Sequence, residues 1–155
     1  MNKNYINIYN NLVKLTRNKE LYNNFKNQDT FSDRLIFFLL HFAFFLKIYK
    51  ENNNKELLQE IYDYIFRQVE LSIREIGYGD QSINKKMKDY LNLFYGMIDK
   101  IHNWDSLTKE SKNKILEIFL DNAENVEYLV NYFEKYSLNL TNNTLNYQIK
   151  GVLKH

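Results

Sequence analysis

The chain has 155 residues, a formal net charge of +2, and neither cysteine nor proline. That length suits one domain, and the missing thiols exclude disulfides, thiol catalysis and thiolate metal sites, in keeping with a reducing compartment. Basic and acidic side chains balance in each half, 11 against 10 in residues 1–80 and 10 against 9 in residues 81–155, so no broad basic face reads as a nucleic-acid footprint.

In chain order, residues 5–17 carry Ile8, Tyr9, Leu12, Val13 and Leu15 at helical spacing and predict an amphipathic helix. The first eight residues lack the pattern of a secretory signal or an Arg-rich transit peptide. Asn18 is a suitable N-cap for a short helix over residues 19–26, burying Leu21, Tyr22 and Phe25. Asp29 or Thr30 caps a third helix that runs to residue 50. Within it lies the longest apolar run, 12 residues from Leu35 to Leu46 broken by His41. A membrane span needs about 20 residues, so this run reads as a buried helix.

Asn52-Asn53-Asn54 marks a loop. A fourth helix over residues 55–76 presents the stripe Leu58, Ile61, Tyr62, Ile65, Val69, Ile73 and Ile76, and Gly77 follows as its C-cap. Ser82 caps a fifth helix over residues 83–103, burying Ile83, Met87, Tyr90, Leu91, Phe94, Ile98 and Ile101, with Trp104 just beyond. A sixth, over 107–121, buries Ile115, Leu116, Ile118, Phe119 and Leu120. A seventh, over 125–138, buries Val126, Leu129, Val130, Phe133 and Tyr136, and the tail from residue 141 adds a short helix. No segment alternates with period two. The fold class is therefore all-α, a single-domain bundle of about seven helices spanning residues 1–155. With 13 Tyr and 11 Phe, its core should be rich in rings.

Catalytic and cofactor signatures are missing. The three histidines, His41, His102 and His155, are scattered, and neither HExxH nor GxSxG occurs. Gly77-Tyr78-Gly79 follows a helix and lacks the third glycine of a dinucleotide loop. No cofactor or metal is expected. Two polar features stand out instead. Arg34 and His41 lie seven residues apart on one stripe of the third helix, read either as a hydrogen-bonded core-edge histidine or as a recognition stripe. Asp63, Arg67, Glu70 and Arg74 form an ionic stripe on the fourth helix, where each pair is worth about 0.2–0.5 kcal/mol. That stripe runs into Ile73-Arg74-Glu75-Ile76-Gly77-Tyr78-Gly79-Asp80, whose two glycines permit a tight reversal, followed by Lys85, Lys86 and Lys88. The segment reads either as a helix–loop–helix corner with a local ion network or as a recognition corner on the surface, where mixed charge suits a polypeptide partner better than nucleic acid.

These residues resemble the ubiquinol–cytochrome c chaperone family. Its pattern has a YxxLV-like start, an LY or FY pair, DTxxxR, LH, FD, LREMGVGD, KKMK and FYGR. The matching residues are Leu12-Val13, Leu21-Tyr22, Asp29-Thr30 with Arg34, Leu40-His41, Tyr62-Asp63, the segment from Ile73 to Asp80, Lys85-Lys86-Met87-Lys88 and Phe94-Tyr95-Gly96. The resemblance covers residues 5–104. Met97 departs from the family's arginine, and Gln68 and Glu70 from its usual pair of aspartates.

The resemblance implies an assembly factor for the cytochrome bc1 complex rather than an enzyme. It implies contact with cytochrome b or its nascent chain, in company with a second assembly factor or the ribosome, and no cofactor. Location would be cytoplasmic or peripheral at the inner face of a bacterial inner membrane, or the matrix side of the mitochondrial inner membrane in a eukaryote. The expected partner-binding residues are Asp29, Arg34, His41, Arg74, Glu75, Tyr78, Asp80, Lys85, Lys86 and Tyr95. Two other readings compete. One is an enzyme, which needs a pocket where Asp29, His41 or Glu75 converge. The other is a generic helical interaction module with an unrelated partner.

Overall fold

The computed structural model describes residues 4–22, 31–50, 54–120 and 123–151. Seven α-helices lie among them: α1 (Ile6–Thr16), α2 (Phe31–Tyr49), α3 (Lys55–Glu75), α4 (Asp80–Ile101), α5 (Lys109–Phe119), α6 (Val126–Thr141) and α7 (Leu145–Lys150). Short 3-10 turns occupy Lys19–Tyr22 and Trp104–Ser106. The all-α expectation holds, and no described helix is long and apolar enough to cross a membrane.

The apolar run reads correctly as a buried helix. A helix that is hydrophobic on every side can only be stable when other elements surround it. Accordingly α2 is the axle of the bundle, packed against α1, α4 and α6. Every residue from Phe37 to Phe45 is buried. Its rings reach each neighbour in turn. Phe38 meets Tyr9 of α1 at 5.6 Å, Phe42 stacks on Phe94 of α4 at 5.5 Å, and Phe44 stacks on Phe133 of α6 at 5.1 Å. Trp104 closes on Phe44 edge to face at 5.1 Å. Such pairs each contribute about 0.5–1.5 kcal/mol beyond the area they bury. The remaining helices pair locally, α3 with α4, α5 with α6, and α7 with α1.

Several boundaries differ from expectation. The helix predicted over residues 19–26 is a 3-10 turn as far as Tyr22, and its remainder, with Phe25 and the caps Asp29 and Thr30, lies outside the described residues. Helix α4 starts at Asp80 rather than Ile83, because Gly79 already accepts the first helical bond from Ile83 N–H at 2.9 Å. Ser82 thus lies inside the first turn and caps nothing. Ile118, expected in the core, is 59% exposed. Helix α5 buries the face of Ile115, Leu116 and Phe119, which turns position 118 outward.

His41 sits at the middle of α2 and is completely buried. Its Nδ1 donates to the Phe37 carbonyl at 2.6 Å, so Nε2 is left to accept the Tyr132 hydroxyl proton at 2.7 Å. The rings of Tyr132, Phe133 and Tyr136 enclose it at 4.9–5.4 Å. Burial disfavours the imidazolium and lowers the pKa to about 4 from 6.5. The unfolded chain therefore binds a proton that the folded one refuses. Stability from neutral His41 is complete above pH 6.5 and is lost as pH falls towards 4. Urea unfolding should show this contribution falling by about 2 kcal/mol between about pH 7 and about pH 5. The variant His41→Leu should be less stable near neutrality yet show a flatter pH dependence over that window; an unaltered slope would assign the titration to other groups.

Candidate partner-binding surface

The bend between α3 and α4 is built from its glycines outward. Helix α3 ends at Glu75, and Gly77 N–H closes back on the Arg74 carbonyl at 3.0 Å. That reversal places Gly77 at φ 103°, a region that side chains with a Cβ rarely occupy. Gly79 is ordinary by comparison, extended at φ −72° and ψ 164°. Ile76 was expected on the buried stripe. It falls beyond the helix end, where the turn swings it outward to 50% exposure.

Arg74 ties the corner together. Its Nη1 donates to Asp80 at 2.9 Å across the bend, and its Nε and Nη2 reach Glu70 at 3.2 and 3.0 Å. The two carboxylates, Asp80 foremost, hold the guanidinium pKa above its ordinary value. Arg74 lies in the last turn of α3 and Asp80 in the first turn of α4. Each charge therefore also complements the dipole of its own helix. These pairs are exposed, with Asp80 88% open to solvent, so they orient the corner more than they stabilise it. Lys86 lies 4.6 Å above the Tyr78 ring, a cation–π contact that fixes the face this tyrosine presents. Glu75 and Lys85 are exposed, and neither has an ion-pair partner among the described residues.

From the corner a cleft of about 570 Å³ follows the α3–α4 pair. Glu70 and Asn84 line its near end, Phe66 and Leu91 its floor, and Tyr62 and Tyr95 its far end. The hydroxyls of Tyr62 and Tyr95 bond at 2.8 Å, and Tyr95 is 54% exposed. Tyr95 stands fifteen residues beyond Asp80, about 22 Å along the helix. It belongs to the same surface but not to the corner itself. Of the expected ionic stripe, Glu70 and Arg74 pair, whereas Asp63 accepts from Gln59 at 3.0 Å.

The sequence-predicted residues thus separate. Arg74, Glu75, Tyr78, Asp80, Lys85, Lys86 and Tyr95 share the α3–α4 surface. Arg34 is exposed on α2 and lines a different, small cavity of about 190 Å³ with Arg17, Tyr9 and Phe38. His41 offers no atom to the surface, and Asp29 lies outside the described residues. Arg34 and His41 share a helical stripe but not an environment, since α2 plunges into the core between them. Met97 likewise has no bearing on the charge of the surface, because it is fully buried. Sequence reasoning missed the cleft, and Phe66 was absent from the expected stripe although its spacing from Tyr62 and Val69 fits it. Nothing local signals a groove that two helices make together.

The two glycines should respond differently to alanine. Gly77→Ala should destabilise by about 1–2 kcal/mol, since a Cβ there meets open space but forces positive φ. Gly79→Ala should stay within about 0.5 kcal/mol of the parent. Paired thermal or urea melts measure both; equal costs would contradict this backbone account.

The ubiquinol-cytochrome C chaperone family matches residues 23–104, just over half of the chain, and includes the whole corner and the α3–α4 cleft. No curated protein matches the sequence. Among solved structures, the crystal structure of the Cbp3 homolog from Brucella abortus is similar, with a TM-score of 0.73 and 25% sequence identity. The alignment covers 97% of this chain and 87% of that one, so the shared fold extends past residue 104 into the C-terminal helices. On the family match, the chain belongs to the ubiquinol-cytochrome C chaperones.

Proposed function

We propose that this protein is an assembly factor of the cytochrome bc1 complex that binds cytochrome b, or its nascent chain, through the α3–α4 corner. Membership of the family supports the enzyme complex served, and the likeness to the Cbp3 homolog agrees with it. One observation carries the choice of surface. Four of the eight large hydrophobics exposed among the described residues, Leu71, Ile76, Tyr78 and Tyr95, fall on α3, α4 and their bend, among charges of both signs. Partner surfaces combine exposed aromatic anchors with a charged rim in this way. The aromatics would supply contact area, while Arg74, Asp80 and the lysines discriminate and orient the client.

The action is binding rather than turnover. A second assembly factor or the ribosome would be further partners, and service to a membrane subunit would bring the protein peripherally to the inner membrane. A photo-crosslinker at Tyr78 in cells tests the client directly, and cytochrome b should be the captured chain. Capture of an unrelated protein would instead favour a generic interaction module. Tyr78→Ala combined with Arg74→Glu should weaken co-purification of cytochrome b at least about tenfold, the loss of one hot-spot contact, while leaving the melting transition near that of the parent. Loss of the gene should lower cytochrome b and assembled bc1 complex; normal levels of both would overturn the reading.

A further inference from the structure

A second cleft, of about 610 Å³, opens where α2, the start of α3 and the end of α4 meet. Its floor is aliphatic, formed by Leu46, Leu58, Ile98 and Ile101. Its rim is cationic, with Lys47, Lys50 and Lys55 around the opening, and no carboxylate lines it among the described residues. Lys47 is held in place by Asp105 at 3.0 Å. Lys50 and Lys55 are exposed, and neither pairs with a carboxylate among the described residues. The start of α3 lies at the same rim. Asn54 precedes that helix without capping it, because its amide turns to the Tyr49 carbonyl at 3.3 Å. The first backbone N–H groups of α3 are thus left without a side-chain cap beside Lys55, with Glu56 in the same turn.

An uncharged apolar ligand would leave the Lys50 and Lys55 ammonium groups without a counterpart, and a lone phosphate would leave the aliphatic floor unused. An occupant that satisfies both carries an anionic head on a hydrocarbon body. The volume lies in the usual range of ligand sites, roughly 300–1,000 Å³. The lining offers point-charge ammoniums and no guanidinium fork for bidentate grip on a carboxylate. That favours a phosphodiester over an acidic peptide. We infer that this cleft receives the headgroup and upper acyl chain of an acidic phospholipid at a bilayer surface. The inference rests on the peripheral membrane location proposed above, but not on the identity of the client.

Flotation with vesicles tests it. The full chain should float with phosphatidylcholine vesicles containing phosphatidylglycerol, not with phosphatidylcholine alone, and binding should weaken with salt. Lys50→Glu with Lys55→Glu should cut the floating fraction about tenfold or more. Lys109→Glu with Lys114→Glu on α5, an equal change in net charge, should cut it far less. Because the chain has no cysteine, His102→Cys can carry a single environment-sensitive dye at the cleft, and its emission should shift to the blue with anionic vesicles. The same dye at Lys114→Cys should not respond.

Equal flotation with neutral vesicles, equal loss in the α5 control, or matching dye responses at both positions would overturn the proposal. So would binding of an acidic peptide without binding of vesicles. Crosslinking from Tyr78 separates the two claims. Client capture without lipid binding defeats only the lipid site, and lipid binding without capture of cytochrome b defeats only the client.

Discussion

The bundle depends on enclosing α2. Nine consecutive buried residues, from Phe37 to Phe45, leave this stretch of the helix no solvent-compatible face, so α1, α4 and α6 must wrap it. Stacked and edge-on rings transmit that demand to each neighbour, and each neighbour is thereby fixed in register against the same axis. Within that run a single polar side chain interrupts the packing. His41 is tolerated because Phe37 and Tyr132 satisfy both ring nitrogens, which removes the penalty of an unpaired buried polar atom.

Enclosing α2 also decides what the outside can do. Helices α3 and α4 give their apolar faces to the core and turn their ionic faces outward, and the bend between them cannot be buried because its own charges crowd it. Gly77 reverses the chain sharply enough for Arg74 and Asp80 to meet across the gap. The result is a surface on which exposed aromatic and aliphatic side chains stand among paired charges. The proposed partner surface uses this combination, apolar area that the fold itself does not consume beside charges of both signs.

Much of this was legible beforehand. The helices and the all-α class follow from spacing, and the motif from Ile73 to Asp80 with Phe94-Tyr95-Gly96 carried the family resemblance. The errors cluster at ends and edges. Ile76 and Ile118 have core chemistry and sit in solvent, because one falls past a helix terminus and the other on the wrong side of a short helix. For Arg34 and His41 the reading of a hydrogen-bonded core histidine is the one that fits, since Arg34 is exposed and His41 sealed.

The amino-acid sequence by itself determined the helices, the buried character of α2 and the charged, glycine-bearing bend, since all three arise from neighbours within a few residues. Only the tertiary structure decided which polar groups reach solvent, that Met97 and His41 are interior, and that two helices form a cleft beside the bend. Accessibility is a property of distant segments packed together, and a stripe on an isolated helix does not know which of its turns another helix will cover.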